Sequence, residues 1–339
     1  MKKNILITGG AGFIGANFIP YFLEKHQDYN IINLDILSYA GDLKNLEEIK
    51  NNPRYTFITG DICDKDLLQE IFTKHTIAGV IHFAAESHVD NSITGPEAFI
   101  DTNIKGTFNL LEVARNFWME SPNKYKESFK DAVFHHISTD EVYGSLGATG
   151  LFREDTPYAP NSPYSASKAS SDFIVRSYFH TYGMQVVTTN CSNNYGPKQH
   201  DEKLIPTVIR KVINGEKIPI YGDGKNVRDW LYVLDHCKGI DLVFHKGKYG
   251  ETYNIGGNNE RDNLYIVNTI IAIIEELQPS QGKPYKELIS FVADRLGHDR
   301  RYAIDAAKIT NDLGWKADEN FESGIRKTIK WYLDKYTKN

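Results

Sequence analysis

Short runs of hydrophobic residues alternate with longer segments of helical pattern through roughly the first 190 residues of the chain. The runs predict β-strands at residues 4–8, 31–34, 55–62, 79–87, 132–137 and 185–190. Helices are predicted from 15 to about 25, from 96 to 119 and from 163 onward. Because strands that alternate with helices pair in parallel and are covered on both faces, this pattern predicts an α/β fold with a doubly wound, mostly parallel sheet.

The pattern changes after residue 190. Turns are predicted at 193–197 and 221–224, and residues 321–336 carry apolar side chains at the spacing of a helix that packs on one face. Because we find neither a repeat nor a low-complexity linker, we expect a smaller, interleaved α/β substrate domain. The first domain is predicted to comprise residues 1–190 plus about 229–258, and the second about 191–228 plus 259–339.

Composition and charge narrow the class of partner. Hydrophobic residues make up 41% and charged residues 24% of the 339, and the net charge of −5 does not favour nucleic acid or a membrane surface. No apolar run approaches the ~20 residues that span a bilayer, and the amino terminus does not resemble a signal peptide. Cys63, Cys191 and Cys237 are widely spaced, as is typical of a reducing compartment. We therefore expect a cytoplasmic protein without nucleic-acid or membrane partners.

Three glycines follow the first predicted strand. Gly9, Gly12 and Gly15 form a G-x-x-G-x-x-G pattern, which lets the backbone turn tightly and brings a helix amino terminus to a pyrophosphate. A glycine turn also occurs in α/β folds that bind no nucleotide. Here, however, the second predicted strand ends at Asp35, where a carboxylate accepts hydrogen bonds from ribose hydroxyls and repels a 2′-phosphate. The combination predicts a Rossmann-type dinucleotide site that prefers NAD to NADP.

A second set of polar residues follows a later predicted strand. Thr139, Asp140 and Glu141 fall at its carboxyl end, the edge of an open α/β sheet where ligands bind. The next predicted helix places Tyr164 and Lys168 four residues apart, on one face. Two carboxyls and a Tyr-Lys pair are therefore expected in one cleft.

The Tyr-Lys pair has a chemical use. An ammonium ~4 Å from a phenol favours the phenolate by ~4 kcal/mol, or ~3 pKa units, and would bring the pKa of Tyr164 near 7. Such a group can take a proton from a sugar or alcohol hydroxyl during hydride transfer. Tyr21 and Lys25 show the same spacing, as does the stretch 221–225, so the position beside the carboxyls is what favours a functional pair.

Other candidate sites are weaker. Four arginines could bind phosphate through charge-assisted hydrogen bonds, although surface ion pairs explain each of them equally well: Arg228, Arg295, Arg300 and Arg301. His135 and His136 are neighbours on a predicted strand and so point to opposite faces, and the chain contains no HExxH motif. No metal site is expected.

These motifs are similar to those of a known family. Along nearly its whole length the chain resembles the extended short-chain dehydrogenases that modify nucleotide sugars, and among them the dTDP-glucose 4,6-dehydratases. The glycine turn and Tyr164-x-x-x-Lys168 carry the resemblance to the larger group. The stretches that carry the narrower one are 84–90, 138–144, 193–197, 203–206, 228–231 and 294–301.

The resemblance implies a set of contacts in addition to the catalytic residues Thr139, Asp140, Glu141, Tyr164 and Lys168. The cofactor contacts that it and the glycine turn imply are Gly9, Gly12, Phe13, Ile14, Gly15, Asp35, Ile36, Leu37, Ser38, Asp61, Ile62, Phe83, Ala84, Ala85, Glu86, Ser87, Thr102, Tyr164, Lys168 and Asn194. The implied contacts to the nucleotide sugar are Ser87, Thr139, Asn193, Lys203, Leu204, Pro219, Ile220, Tyr221, Arg228, Asn263, Asp294, Arg295, Leu296, Gly297 and His298.

The activity implied is a hydro-lyase reaction of deoxysugar biosynthesis. The enzyme would oxidise carbon 4 of dTDP-glucose with NAD, eliminate water across carbons 5 and 6, and return the hydride to carbon 6. We expect Tyr164, supported by Lys168, to deprotonate the 4-hydroxyl while Thr139 hydrogen-bonds the same oxygen. Glu141 would then remove the carbon 5 proton, and a protonated Asp140 would protonate the departing hydroxyl.

Two other interpretations stay open. One is a related dehydratase or epimerase that takes another nucleotide sugar, although epimerases usually carry other residues in place of Thr139-Asp140-Glu141. The other is a non-catalytic NAD-sensing protein, which would need neither the acids nor the Tyr-Lys pair. By analogy we also expect a homodimer paired through the helix of Tyr164, where Ala166, Ala169 and Ser170 are small enough for close approach.

Overall fold

The computed structural model describes residues 2–294 and 299–337. Its strands are β1 (Lys3–Thr8), β2 (Tyr29–Asp35), β3 (Tyr55–Thr59), β4 (Ile77–His82), β5 (Met119–Ser121), β6 (Lys124–Tyr125), β7 (Val133–Thr139), β8 (Val186–Cys191), β9 (Asn193–Tyr195), β10 (Ile218–Tyr221), β11 (Val227–Tyr232), β12 (Thr252–Ile255), β13 (Glu260–Asp262) and β14 (Ile289–Val292).

Helices cover both faces of the largest sheet, and further helices lie in the second half of the chain. They are α1 (Phe13–Lys25), α2 (Lys65–His75), α3 (Val89–Thr94), α4 (Glu97–Phe99), α5 (Thr107–Trp118), α6 (Pro163–Tyr182), α7 (Leu204–Ile213), α8 (Val233–Lys246), α9 (Asn263–Leu277), α10 (Ala307–Leu313) and α11 (Phe321–Thr337). Ile100–Gly106 is a π-helical segment, and 3₁₀ turns occur at Leu43–Ile49, Glu127–Phe129, Asp140–Tyr143 and Tyr285–Leu288. None of the described helices is long and apolar enough to cross a membrane.

Seven parallel strands form the central sheet, in the order β12-β8-β7-β4-β1-β2-β3. Successive residues of β1 point to opposite faces, so Ile5 and Ile7 pack with α1 and α8 while Leu6 packs with α2 and α5. The strand order reverses between β1 and β4, which is where ligands bind in such sheets. The prediction of a doubly wound parallel sheet is confirmed.

A separate hydrophobic core lies in the second half of the chain. Helices α7, α9 and α11 bury Ile209, Ile270 and Ile329 against one another and against Trp230. Two small sheets, β13-β11-β9 and β10-β14, accompany them. This part of the structure supplies a second group of loops near the central sheet. The boundaries between two domains stay a prediction.

Several predicted elements differ in detail. The strand predicted at 79–87 begins at Ile77 and ends at His82, and the one predicted at 55–62 ends at Thr59, so that polar residues follow each strand in loops. The turn predicted at 193–197 is in part a strand, β9, because Tyr195 is buried against aromatic rings of the second core. The helix predicted at 96–119 contains the π-helical segment. Such segments widen a helix and often occur at functional sites.

Candidate active site

A cavity of about 380 Å³ opens at the carboxyl ends of the central strands. Residues that follow β1, β2, β4, β7 and β8 line it, as the switch in strand order predicts. The glycine turn and the carboxyls after β7 both line it. The site therefore combines a dinucleotide-type cradle with acid–base groups.

The glycine turn is shaped by close backbone contacts. Gly9 has a φ of +72°, and a Cβ added there would lie 2.6 Å from the backbone nitrogen of Ala84. A Cβ on Gly15 would lie 2.6 Å from the carbonyl oxygen of Gly9. Gly12 lines the cavity, so a side chain at that position would occupy ligand space. The sequence folds this way because only glycine allows these approaches, and the turn leads directly into α1.

Asp35 is held by the same turn. Its Oδ2 accepts a hydrogen bond from the backbone N–H of Ala11 at 2.9 Å, and its Oδ1 accepts one from that of Leu37 at 2.8 Å. Leu37 adopts a φ of +56° to make this contact and does not itself line the cavity. The carboxylate is thus buried, fixed in orientation and left with further acceptor capacity at the cavity wall.

The predicted cofactor residues other than Leu37 all line this cavity. Thr102 reaches it from the π-helical segment, which also contains the buried Asn103. The Asn103 side chain accepts from the backbone N–H of Glu86 at 2.8 Å and donates to Ser167 Oγ at 2.8 Å. It therefore ties the loop after β4 to α6. Hydrophobic periodicity carries no signal for this residue, which our sequence analysis missed.

Tyr164 and Lys168 share one face of α6, as predicted, and both are buried in the cavity wall. Burial, and then the charge of Glu141, raises the pKa of Tyr164 well above its usual value. Burial lowers the pKa of Lys168, whose Nζ donates to the carbonyl oxygen of Ile137 at 2.8 Å. The prediction that the pKa of Tyr164 lies near 7 is therefore wrong, because burial raises this pKa. The helical spacing reveals the attraction of the ammonium, which lowers the pKa of the phenol, but it does not reveal the dehydration of the phenol, which raises that pKa.

The two carboxyls after β7 differ in environment. Asp140 is buried, and its Oδ2 has no hydrogen-bond partner among the described residues. Burial, and then the charges of Glu141 and Asp229, raises the pKa of Asp140 well above its usual value, although Arg228 opposes this. Glu141 is less buried than Asp140. A buried carboxyl with a raised pKa beside a more exposed carboxyl is an arrangement that acid–base catalysis can use.

The predicted substrate residues divide into two groups. Ser87, Thr139, Asn193 and Lys203 line the cavity, whereas a second group lies outside its wall: Leu204, Pro219, Ile220, Tyr221, Arg228, Asn263 and Asp294. The residues 295–298, which include the predicted contacts Arg295, Leu296, Gly297 and His298, lie outside the described part of the chain. The second group occupies β10, β11 and the first turns of α7 and α9, and Asp294 follows β14.

Arg228 connects this second group with the carboxyls. Its guanidinium carbon lies 4.3 Å from the centre of the Tyr302 ring, and Nη2 donates to the carbonyl oxygen of Asp299 at 3.0 Å. Arg228 does not line the cavity, but its charge opposes the rise in the pKa of Asp140. Arg301 instead forms a forked ion pair with Glu260, at 2.6 and 2.8 Å, so the ion-pair explanation holds for that arginine.

Arg300 forms a similar exposed pair with Asp223, at 2.8 Å. The cavity also has lining residues that our sequence analysis did not single out, chiefly the polar stretch after β9: Gln199, His200 and Glu202. Ala40, Gly41, Cys191 and Ser192 line it as well. Glu202 lies 3.4 Å from His88 Nε2 and 3.6 Å from His200 Nδ1. No motif marks these residues, because they reach the cavity through loop conformation.

The site defines the class of extended short-chain dehydrogenases. It places the glycine turn, Asp35 and the Tyr164–Lys168 pair around one cavity of a doubly wound sheet. Residues 6–328 match the family model described as GDP-mannose 4,6 dehydratase. The chain is 53% identical to a dTDP-glucose 4,6-dehydratase of Neisseria gonorrhoeae, over 99% of this chain and 97% of that protein. The chain belongs to the family of the dTDP-glucose 4,6-dehydratases.

Solved structures give the same result. A dTDP-glucose 4,6-dehydratase from Bacillus anthracis in complex with NAD is 46% identical, with a TM-score of 0.86 over 98% of this chain and 97% of that one. A second, from Streptomyces venezuelae with NAD and dTDP bound, is 41% identical, with a TM-score of 0.89 over 98% of each chain. The likeness spans both cores of the fold.

Proposed function

We propose that this protein dehydrates dTDP-glucose to dTDP-4-keto-6-deoxyglucose with NAD as its cofactor. The observation that supports the proposal most strongly is that one cavity holds two carboxyls in different environments beside a Tyr-Lys pair. A buried Asp140 with a raised pKa and a less buried Glu141 lie together with the Tyr164–Lys168 pair. The family and the ligands of the related solved structures support the same substrate and cofactor.

The residues present fit NAD. The glycine cradle leaves room for a pyrophosphate at the amino terminus of α1, and the Asp35 carboxylate is fixed at the cavity wall. When bound, NAD supplies a hydride acceptor with a positively charged ring and later gives the hydride back. Tyr164 and Lys168 would lie at the reacting end, and the loop 83–87 and Thr102 alongside.

Oxidation at carbon 4 requires a base for the 4-hydroxyl. Tyr164 takes that proton, and because burial disfavours its ionisation, positive charge in the loaded site must offset the raised pKa. Lys168 supplies one such charge from the same face of α6, and Thr139 at the end of β7 holds the 4-oxygen. A hydride can leave carbon 4 only as this proton is removed.

Elimination of water depends on the ketone. The carbon 5 proton is not acidic in glucose, but a carbonyl at carbon 4 makes it so. Glu141 removes this proton, and Asp140, kept protonated by its burial, gives its own proton to the departing 6-hydroxyl. When the hydride returns to carbon 6, Glu141 returns a proton to carbon 5. The oxygen and one hydrogen of the lost water thus come from the sugar, and its second hydrogen comes from Asp140. Tyr164 then releases to solvent the proton it took from the 4-hydroxyl, and Asp140 takes one up, so the starting state is restored.

Two isosteric variants separate these roles. Glu141→Gln should oxidise bound substrate and yet fail to exchange the carbon 5 proton with deuterated water. Asp140→Asn should slow water loss by ~10²–10⁴ while oxidation continues. If Glu141→Gln exchanges the carbon 5 proton at the wild-type rate, another residue is the base.

A panel of dTDP-, GDP- and UDP-sugars tests the nucleotide, since preference for another nucleobase would make the protein a related dehydratase.

We propose that the chain forms a homodimer through α5 and α6. Phe173 on α6 and Phe108 on α5 are 58% and 42% exposed, and Ile100 of the π-helical segment is 51% exposed. Large apolar side chains are thus exposed on three elements that pack against one another. Ala166 is exposed on the same helix, but Ala169 packs inside the chain near Tyr143, so it cannot serve the predicted contact. Light scattering at micromolar concentration should give twice the chain mass, and Phe173→Asp should halve it.

We further propose a cytoplasmic location and two functional units. The three cysteines are free thiols, which suits a reducing compartment. Residues 1–190 plus about 229–258 would bind NAD, and about 191–228 plus 259–339 would bind the nucleotide. Limited proteolysis with and without dTDP tests this division, because protection by dTDP should concentrate in the second set of residues.

A further inference from the structure

Two histidines and an aspartate meet where α1 ends against α8. Asp241 and His245 are one helical turn apart on α8, and His26 immediately follows α1. Asp241 Oδ1 lies 2.7 Å from His26 Nε2 and 3.1 Å from His245 Nδ1. The three candidate ligand atoms all lie within 4.8 Å of one another. None of these residues takes part in the chemistry proposed above.

We propose that His26, Asp241 and His245 bind a divalent transition-metal ion of the zinc class. In a tetrahedral zinc site, with bonds of about 2.0–2.2 Å, neighbouring ligand atoms are about 3.3 Å apart. The observed separations of 2.7 and 3.1 Å are shorter than that spacing, so the two rings would move outward when the ion binds. His245 Nδ1, which lies 2.9 Å from the carbonyl oxygen of Asp241, would exchange that hydrogen bond for the metal. Two imidazoles and one carboxylate form a common zinc ligand set, and water would complete it.

The other oxygen of Asp241 already has the partners of a ligating carboxylate. Oδ2 accepts a hydrogen bond from Lys25 Nζ at 2.7 Å and one from Tyr21 OH at 3.3 Å. Oδ1 can therefore bind a metal alone while Oδ2 keeps these bonds. Carboxylates that ligate metals are commonly held through their second oxygen in this way. Lys25 is thus compatible with a cation at Oδ1, and it fixes the orientation of the carboxylate.

The two rings are held rigidly. Their centroids are 4.6 Å apart with an angle of 23° between the planes, and both contact the ring of Phe22 on α1. Their side chains are only 19% and 25% exposed, so an ion can enter from solvent without the site opening widely. Ligands fixed on two packed helices lose little entropy when the ion binds.

The site is remote from the proposed chemistry. The 13 residues of α1 span about 20 Å between the glycine turn and His26. A metal there would clamp the end of α1 to α8 and stabilise the folded chain without entering the reaction. The inference does not depend on the proposed dehydratase activity.

The test is a titration of metal-free, full-length protein with Zn²⁺ against a chromophoric chelator. One ion should bind per chain, with micromolar affinity or better, and Zn²⁺ should raise the thermal midpoint. His26→Ala and His245→Gln should each weaken binding at least ~100-fold, while His180→Ala, which removes an exposed histidine on α6, should change nothing. Co²⁺ should give the visible absorption of a four-coordinate site in the wild type and lose it in His26→Ala.

Three results would overturn the proposal. The first is no stoichiometric binding by folded wild-type protein. The second is unchanged affinity in both His26→Ala and His245→Gln, which separate melting curves must show to be folded. The third is loss of binding in His88→Ala instead, because that would place the ion beside Glu202 at the mouth of the cavity.

Discussion

Asp172 provides a sharp test of the electrostatics behind the Tyr-Lys pair. It lies one helical turn after Lys168 on α6, where it is buried, and its Oδ1 lies 3.0 Å from His136 Nε2. Its Oδ2 accepts hydrogen bonds from Ser138 Oγ at 2.8 Å and from Tyr158 OH at 3.1 Å. Burial raises the pKa of Asp172 from 3.8 to about 6, although the charge of Lys168 and both hydroxyl bonds oppose the rise. The substitution Asp172→Asn removes this titration and keeps the shape.

The sign and size of the effect follow from linkage. Because the folded chain holds the Asp172 proton more tightly than the unfolded chain, the contribution to the free energy of unfolding is fully present below pH 3.8 and lost as pH rises through about 6. The difference between about 6 and 3.8 corresponds to about 3 kcal/mol in all. Between pH 5 and pH 7.5 the expected loss is about 1.4 kcal/mol.

The assay is urea unfolding of the wild type and Asp172→Asn at pH 5, 6 and 7.5. The free energy of unfolding of the wild type minus that of the variant should fall by about 1.4 kcal/mol from pH 5 to pH 7.5. Any cost of altered hydrogen bonds that does not depend on pH cancels in this comparison. Asp334→Asn, which removes an exposed carboxyl on α11, is the matched control and should show no such fall. A flat or rising difference for Asp172→Asn would show that burial does not raise the pKa of Asp172.

Three further predictions use other parts of the structure. Burial lowers the pKa of His236 from 6.5 to about 3, so its contribution to the free energy of unfolding is present above pH 6.5 and is lost as pH falls. In urea unfolding, the free energy of unfolding of the wild type minus that of His236→Gln should therefore fall by about 1.4 kcal/mol between pH 7.5 and pH 5.5. Gly9→Ala should abolish NAD binding measured by calorimetry, because its Cβ would lie 2.6 Å from Ala84 N, whereas Gly147→Ala, whose Cβ meets nothing within 4 Å, should bind normally. In the same titration, Asp35→Asn should shift the ratio of the NAD and NADP affinities by at least ~10-fold toward NADP relative to the wild type. An unchanged ratio would contradict the role given to that carboxylate.

Much of the fold follows from the sequence because its cause is local. Strands buried on both faces need continuous apolar runs, and a turn as tight as the one at Gly9 needs glycine, so both are visible in the printed residues. Strand β9 was predicted as a turn because its two asparagines and following glycine resemble one. Only the burial of Tyr195 against Trp230 and Phe321 selects the extended form.

The chemistry of the site was harder to predict than its location. The cleft with Thr139, Asp140 and Glu141 follows from strand ends, but the pKa of Tyr164 depends on how much water surrounds the phenol, which spacing does not reveal. Asn103 was missed because a π-helical segment has no hydrophobic signature. The pairing of Arg301 with Glu260 depends on a contact between residues 41 positions apart.

The most direct test of the proposed function is a single incubation in deuterated water. The protein, NAD and dTDP-glucose labelled with tritium at carbon 4 are combined, and the product is examined by mass spectrometry, proton NMR and tritium NMR. The proposed mechanism predicts a 4-keto-6-deoxy sugar that has lost one water, carries solvent deuterium at carbon 5 and has the carbon 4 label at carbon 6. A product epimerised at carbon 4 without water loss, or a dehydrated product whose carbon 6 lacks the label, would contradict it.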